Sequence, residues 1–429
     1  MQLDWGQATG LFLAVSAVTA AVVLCPAMVK VPAEAAQAWS IGTPIVTYWA
    51  GPPMTDEVAE QMAAGGFNLV WCTEKELDVA LRHGLRAQLH DGLINVSSLD
   101  DPERRAQLDA LIDRVKKHPA LYSYFIVDEP SARDFPALAR LVDYLRQRDP
   151  GHLAYINLFP TYANNEQLGT SGDTVTAYKE HLRQYVEIVK PALISYDHYQ
   201  FAVGGDGDQY FLNLALIREY AMQAGVPFLN IVQACSWHPS MRVPKGDEVR
   251  YLVYTSLAYG AQGISYYVYC HPGHEGGIAH LEDYSPTPLY YVLSKVNREF
   301  VAIASQLQPL MSLGAYHLGM VPPGAVPLPA DAPFRLDPPV APMAYKPPEP
   351  VKGMLLGFFG PRSGKPTHVV VVNLDYAAGT TTTVVGPGPL QIFDAASARW
   401  RDAGGSRAKV RLRPGGGRLL RVRPGGNHA

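Results

Sequence analysis

The amino-acid sequence predicts a (β/α)8 barrel followed by a small antiparallel β-sandwich. From residue 44 to residue 307, eight short apolar runs alternate with longer segments of helical periodicity, and about 250 residues is typical of such a barrel. Beyond residue 350 the pattern changes to short alternating runs separated by Gly and Pro, which indicates antiparallel strands. The chain of 429 residues has room for both parts.

Eight runs have the length and composition of strands buried on both faces. A doubly wound open sheet is the alternative for such alternation, but Trp49-Ala50-Gly51-Pro52-Pro53 after the first run is not the Gly-rich phosphate-binding turn. The absence of that turn favours the barrel. The predicted strands are Pro44–Tyr48, Phe67–Cys72, Arg86–His90, Tyr122–Val127, Leu153–Leu158, Ala192–Tyr196, Pro227–Gln233 and Gly263–Tyr269.

The segments between these runs have helical patterns. Asp101 followed by Pro102 is a favourable start for a helix, and Leu138, Leu141 and Leu145 lie on one face of the next helix. The predicted helices are Asp101–Lys117, Phe135–Arg148, Val175–Val189, Tyr210–Gln223, Asp247–Tyr259 and Pro288–Leu307.

Composition divides the rest of the chain. Between Val321 and Pro350 there are 11 prolines, too many for a helix or a central strand. We therefore expect the barrel over 39–307, a Pro-rich linker over 308–350 and the sandwich over 351–429. The predicted sandwich strands are Met354–Phe359, His368–Leu374, Thr380–Val385, Leu390–Phe393, Val410–Arg413 and Leu419–Arg423.

The N-terminus has the layout of a signal peptide. The apolar stretch Leu11–Leu24 precedes small-residue cleavage sites at Ala33-Glu34-Ala35 and Ala36-Gln37-Ala38, although the first ten residues hold no Lys or Arg. We expect residues 1–38 to be an export signal, the protein to be secreted or periplasmic, and the mature chain to have no stable membrane insertion.

Composition also restricts partners. A formal net charge of −3 argues against a nucleic-acid partner. No CxxC or HExxH pattern indicates a metal site, and no cofactor is predicted. Cys72, Cys235 and Cys270 follow candidate strands, and buried free thiols or a disulfide between the last two are both open.

Residues that follow the barrel strands should meet at one face of the barrel. The fourth strand should end at Pro130, which cannot donate to a sheet ladder, and this places Glu129 at that face. The other strand ends are rich in imidazoles, amides, carboxylates and rings, which suit the hydroxyls and apolar faces of sugars. The predicted substrate-binding residues are Trp49, His90, Asp91, Asn157, His198, Tyr199, Gln233, Trp237, His238, Tyr269 and His271.

The fourth-strand stretch Ser123-Tyr124-Phe125-Ile126-Val127-Asp128-Glu129-Pro130 resembles a signature of the large barrel clan of retaining glycoside hydrolases. There the acid/base glutamate follows an asparagine and precedes a proline. The resemblance covers most of residues 44–305 and implies a carbohydrate substrate, with Glu129 as general acid/base. Two positions depart from the clan: Asp128 replaces the asparagine, and Gln233 ends the seventh strand, where the clan has its glutamate nucleophile.

Glycoside cleavage usually needs a second carboxyl group. Asp197 is the first choice because it ends the sixth strand; Asp91, Glu275 and Glu282 are weaker alternatives. Asp128 is expected to turn away from Glu129, since successive strand residues face opposite sides.

The sequence therefore predicts a glycoside hydrolase that acts on an oligo- or polysaccharide, with Glu129 as proton donor and Asp197 as its partner. One alternative is a non-catalytic carbohydrate-binding barrel that lost its nucleophile, as Gln233 suggests. The other is a metal-dependent hydrolase that uses His238, His271 and His274.

Overall fold

A computed structural model describes residues 44–362 and 364–424; the predicted signal peptide, 1–38, lies outside the described residues. Eight parallel strands form a barrel, which confirms the predicted fold class. The predicted strand ends all lie within two residues of the observed ones. The strands are β1 (Ile45–Trp49), β2 (Leu69–Cys72), β3 (Arg86–Leu89), β4 (Leu121–Asp128), β5 (Leu153–Leu158), β6 (Ile194–His198), β7 (Phe228–Gln233) and β8 (Gly263–Tyr267).

Neighbouring strands in the chain are neighbours in the sheet from β2 to β8, and β8 pairs with β1. The seam between β1 and β2 is closed by Asn68. Its backbone N donates to the Val46 carbonyl at 3.0 Å, its Oδ1 accepts from Val46 N at 2.8 Å, and its Nδ2 donates to the Pro44 carbonyl at 2.8 Å. The backbone N and the side-chain amide of one residue thus supply hydrogen bonds that complete the barrel.

Helices follow the strands and cover the outside of the barrel. Asp101 caps one of them, since its Oδ1 accepts from Glu103 N at 2.8 Å. No helix among the described residues is long and apolar enough to cross a membrane. The main helices are Asp56–Ala64, Leu77–Arg82, Pro102–Val115, Phe135–Arg148, Thr174–Gln184, Tyr210–Ala224, Gly246–Tyr259 and Pro288–Leu307.

The barrel interior is filled with side chains, as is usual for this fold. Small and medium apolar residues such as Ile45, Leu153 and Leu229 pack in the middle, and the larger rings of Trp49 and Tyr267 lie beside them at the carboxyl ends of their strands. Cys72, Cys235 and Cys270 are buried free thiols.

The C-terminal part is a sandwich of two antiparallel sheets with a separate apolar core. The larger sheet also packs on the barrel helix Gly246–Tyr259, where Gly357 is required because a Cβ would lie 2.1 Å from the Ala258 carbonyl oxygen. The larger sheet contains Val326–Pro327, which pairs parallel with its neighbour Met311–Gly319, and then Gly353–Gly360, His368–Asn373, Gly417–Val422, Leu390–Asp394 and Arg399–Asp402; the smaller one contains Arg335–Asp337, Thr380–Val385 and Arg407–Leu412.

The predicted linker over 308–350 needs correction. Met311–Gly319 is a nine-residue strand that pairs with Gly353–Gly360 in the larger sheet. Its buried and less buried residues alternate as in an ordinary strand. The prediction missed this strand because the many prolines that follow it dominate the composition of residues 308–350. The sandwich therefore takes its first strand from before the Pro-rich segment.

Candidate active site

The carboxyl end of β4 contains a bulge that determines where its acids point. Phe125 pairs with Tyr155, but Val127 pairs with Ile156, so β4 has one extra residue. Asp128 then lies opposite Asn157 and faces the barrel mouth. The prediction that Asp128 turns away from Glu129 was therefore wrong, because the bulge breaks the simple alternation of the strand.

Glu129 follows in a left-handed backbone conformation, with φ of +46°. Its backbone N donates to the Asn157 carbonyl at 2.8 Å, which fixes the turn out of the strand. A glutamate rarely adopts this conformation, and such residues concentrate at functional sites.

Asp128, Glu129 and Asp197 form one group, called here the carboxyl cluster. Asn157 Nδ2 donates to Asp128 Oδ1 at 3.0 Å and to Asp197 Oδ1 at 2.9 Å. Glu129 lies close to both aspartates: the charge of Asp128 raises its pKa, its interaction with Asp197 lowers it, and Glu129 in turn raises the pKa of Asp197. The structure thus brings together three of the sequence-predicted positions, Glu129, Asn157 and Asp197.

The carboxyl cluster favours protonated acids. Burial, followed by the charge of Asp128, raises the pKa of Glu129 to about 7. Burial raises the pKa of Asp128 to about 6, although part of that residue remains open to water. Asp197 is only 3% exposed, and burial together with Glu129 raises its pKa well above the ordinary value. The three groups therefore hold protons at pH values where free carboxyls are ionised.

Asn157 is itself held in one orientation. Ser195 Oγ donates to Asn157 Oδ1 at 3.0 Å, and the Tyr155 hydroxyl lies 2.7 Å from Ser195 Oγ. This chain of buried hydrogen bonds leaves Asn157 Nδ2 directed at the two aspartates. Asn157 therefore positions carboxyl groups, and its 2% exposure leaves little surface for a substrate.

Three rings beside the carboxyl cluster form what we call the aromatic wall: Tyr199, Trp237 and Tyr267. Their ring centroids lie 4.7 Å apart for Tyr199 and Trp237, 5.1 Å for Tyr199 and Tyr267, and 5.0 Å for Trp237 and Tyr267. Burial raises the pKa of Tyr199 most, and the nearby charge of Asp197 raises it further. The aromatic wall is therefore close to the carboxyl cluster. All three rings are partly exposed.

A second group of rings lies at the ends of β1, β2 and β4. The ring centroid of Trp71 is 5.0 Å from that of Trp49 and 4.8 Å from that of Phe125. His90 lies 6.1 Å from Trp71, and burial lowers its pKa. Trp49 and His90 are therefore both neighbours of Trp71, and their predicted substrate-binding role stays a prediction.

Gln233 does not face the mouth. Its side chain has no exposed surface, and its polar atoms bond only to backbone: Nε2 donates to the carbonyls of Phe201, Cys235 and Arg242, and Oε1 accepts from Phe201 N. The predicted substrate-binding role is therefore corrected to a structural one.

Two other predicted residues also point away from the mouth. His198 is 1% exposed, its Nδ1 lies 2.9 Å from Asn213 Oδ1, and burial lowers its pKa to about 4. The hydroxyl of the buried Tyr269 accepts from Gln61 Nε2 at 2.8 Å. Strand β8 ends at Tyr267, so the ring that faces the mouth lies two residues earlier than predicted.

The remaining predicted residues lie in loops. Asp91 Oδ1 accepts from Leu93 N at 2.8 Å, which shapes its own turn. The exposed His238 bonds to Ser240, and His271 Nδ1 is 3.0 Å from His274 Nδ1.

Among the described residues, no group of three or more His, Cys, Asp or Glu side chains has the arrangement to hold a metal ion. Glu275 and Glu282 are exposed in the loop after β8.

No protein-family model and no curated protein matches this chain. Solved structures of similar fold include a β-galactosidase from the psychrophilic Marinomonas ef1, at 12% identity and TM-score 0.45, with 65% of this chain and 62% of that one covered. A glycoside hydrolase family 5 protein from Bacteroides vulgatus aligns at 13% identity and TM-score 0.49, with 87% and 88% covered. A GH99 endo-α-mannosidase from Bacteroides thetaiotaomicron aligns at 14% identity and TM-score 0.40, with 58% and 80% covered. This chain thus spans 62% of the galactosidase's length, and similarity at these scores carries no information about its reaction.

Proposed function

We propose that this protein hydrolyses O-glycosidic bonds of an oligo- or polysaccharide and that Glu129 donates the proton to the leaving oxygen. The observation that carries this proposal is the position and state of Glu129. It lies at the carboxyl end of β4, in the barrel mouth, and burial with Asp128 raises its pKa to about 7. A general acid that works near neutral pH needs such a pKa.

The second carboxyl group is better assigned to Asp128 than to Asp197. The two carboxyls of glycosidases are about 5–5.5 Å apart for retention and about 6.5–9.5 Å apart for inversion. Asp197 is only 3% exposed and its Oδ1 accepts from Asn157 Nδ2, so little of its carboxyl group is open to a sugar or a water. In this proposal Asp197 acts on Glu129 from within the carboxyl cluster, while the water-accessible Asp128 faces the sugar.

The rings supply the binding surface in this proposal. Sugars present apolar C–H faces that pack on aromatic rings, and the aromatic wall offers partly exposed rings beside the acids. Trp49 and Trp71 offer a second such surface. A secreted or periplasmic location, proposed from residues 1–38 alone, fits a polymeric substrate.

Glu129→Gln tests the proposal on a panel of polysaccharides and aryl glycosides. We expect the rate to fall about 10²–10⁴-fold on natural linkages, and to fall less on aryl glycosides whose leaving group needs no proton. Glu282→Gln is the matched control because Glu282 is exposed in the loop after β8. Full activity of Glu129→Gln on natural linkages would exclude Glu129 as the donor.

A non-catalytic carbohydrate-binding barrel is the second candidate, and one observation favours it. The end of β7, where the clan has its nucleophile, holds the buried Gln233 and no carboxylate. Saccharide binding with no product from any glycan would support it. Product formation that Glu129→Gln abolishes would exclude it.

A further inference from the structure

The loops that follow β6, β7 and β8, here called the rim loops (199–209, 234–245 and 268–287), are bonded to one another. Val203 N donates to the Ser240 carbonyl at 2.8 Å, and Arg242 N donates to the Phe201 carbonyl at 3.1 Å. Cys235–Ser236 pairs with Glu275–Gly276 as a short antiparallel ladder. Since Tyr199 and Trp237 belong to these loops, the loops determine the shape of the aromatic wall.

Gln233 joins two of the rim loops from inside the barrel. Its Nε2 donates to the Phe201 carbonyl at 3.1 Å and to the Arg242 carbonyl at 2.8 Å, while its Oε1 accepts from Phe201 N at 2.9 Å. One buried amide thus fixes Phe201, two residues after Tyr199, and Arg242, five residues after Trp237.

The C-terminal part of the chain holds the same loops from outside. The Tyr376 hydroxyl donates to Asp206 Oδ2 at 2.9 Å, and its ring centroid lies 5.9 Å from that of Phe201. Asp206 N donates to the Pro348 carbonyl at 3.0 Å. Contact there is so close that a Cβ on Gly205 would lie 2.6 Å from the Pro348 oxygen.

A further ion pair connects this attachment to the second rim loop. Arg242 lies 3.6 Å from Asp206 Oδ1 and 2.8 Å from Glu248 Oε2. Glu248 belongs to the helix Gly246–Tyr259, on which the larger sandwich sheet packs. Tyr376, Asp206 and Arg242 thus form a continuous path from the sandwich to the loops of the aromatic wall.

We propose that Tyr376 is a positioning residue for the substrate site, and that the sandwich and the Pro-rich segment are built into that site as the outer support of the aromatic wall. Only the nature of the ligand, a saccharide, rests on the proposed function. The support itself rests on the contacts of Tyr376 and Pro348 with the loop after β6.

Tyr376→Phe tests this because it removes one hydroxyl and keeps the ring. Tyr254→Phe is the matched control: its hydroxyl also donates to a carboxylate, Glu299 Oε2, at 2.6 Å, but away from the rim loops. In hydrogen–deuterium exchange, we expect segments 199–208 and 235–242 to exchange about tenfold faster in Tyr376→Phe, as loss of a hydrogen bond to a charged group predicts, and not in the control. Equal exchange of these segments in Tyr376→Phe and the wild type would overturn the proposal.

Kinetics distinguish a positioned wall from a general loss of stability. On a glycan that the wild type hydrolyses, Tyr376→Phe should raise KM several-fold, as expected for a displaced binding surface, and leave kcat within about twofold, because the carboxyl cluster is untouched. A lower kcat at unchanged KM would contradict the proposal. If the wild type hydrolyses no glycan, the proposed function fails, while the exchange measurement still decides the role of Tyr376.

Discussion

Asn157 Nδ2 donates both to Asp128 Oδ1 at 3.0 Å and to Asp197 Oδ1 at 2.9 Å, and so joins acids at the ends of two strands separated by β5. Glu129 lies beside both acids, and burial raises the pKa of all three carboxyl groups. The fold therefore favours a bound proton in the barrel mouth. This proton affects the reaction rate, the free energy of unfolding and the substitutions that neighbouring positions accept.

The first prediction concerns the pH dependence of activity. In the proposed function the acid form of Glu129 is the donor, and its pKa is raised to about 7, so kcat/KM should fall as the pH rises through about 7. Asp128→Asn removes a charge that raises this pKa, so Glu129 should titrate at lower pH in that variant, which is itself expected to be inactive if Asp128 is the second carboxyl group. The measurements are a pH–rate profile of the wild type and an NMR titration of the Glu129 side chain in both proteins. A Glu129 pKa that is unchanged in Asp128→Asn would show that Asp128 does not control it.

The second prediction concerns the pH dependence of stability. The pKa of Asp197 is raised in the folded protein, so its contribution is fully present below the unfolded pKa, near 4, and is lost as the pH rises through the folded pKa. Asp197→Asn replaces the carboxyl group by an uncharged amide, so this loss of unfolding free energy at higher pH no longer occurs. Relative to wild type, the variant should therefore gain unfolding free energy between pH 5 and pH 8.

Urea unfolding at the two pH values measures this difference. Asp331→Asn serves as control, because Asp331 is exposed, and its effect should be the same at both pH values. An effect of Asp197→Asn that does not change with pH would contradict the raised pKa.

The third prediction concerns the end of β7. Gln233→Glu restores the residue type of the clan's nucleophile, but three backbone carbonyls that accept hydrogen bonds from Nε2 would then face a carboxylate. We expect a loss of about 3–5 kcal/mol in unfolding free energy and no gain in activity, measured by urea unfolding and on the glycan panel. The exposed Gln147 provides the control Gln147→Glu. A stable and more active Gln233→Glu would mean that this position can reach the sugar.

The barrel could be predicted from the sequence because each strand is a short apolar run and each helix is periodic. Details of the site that depend on one residue of register could not. The extra residue in β4 brings Asp128 to the same face as Glu129, and no composition signal marks such a bulge. Likewise β8 ends at Tyr267. Tyr269 would face the same side as Tyr267 if the strand continued, but it lies beyond the end of the strand and packs outside the barrel.

The role of Gln233 also affects which strands contribute acids to the barrel mouth. Because the end of β7 serves to hold loops, the acids are confined to β4 and β6, while Trp237 lies on a loop that contributes no acid to the carboxyl cluster. In the proposed function, proton transfer and sugar recognition would therefore occupy separate parts of the chain. Substitutions in the loops after β7 and β8 would then change which sugar is bound and leave the proton donor unchanged.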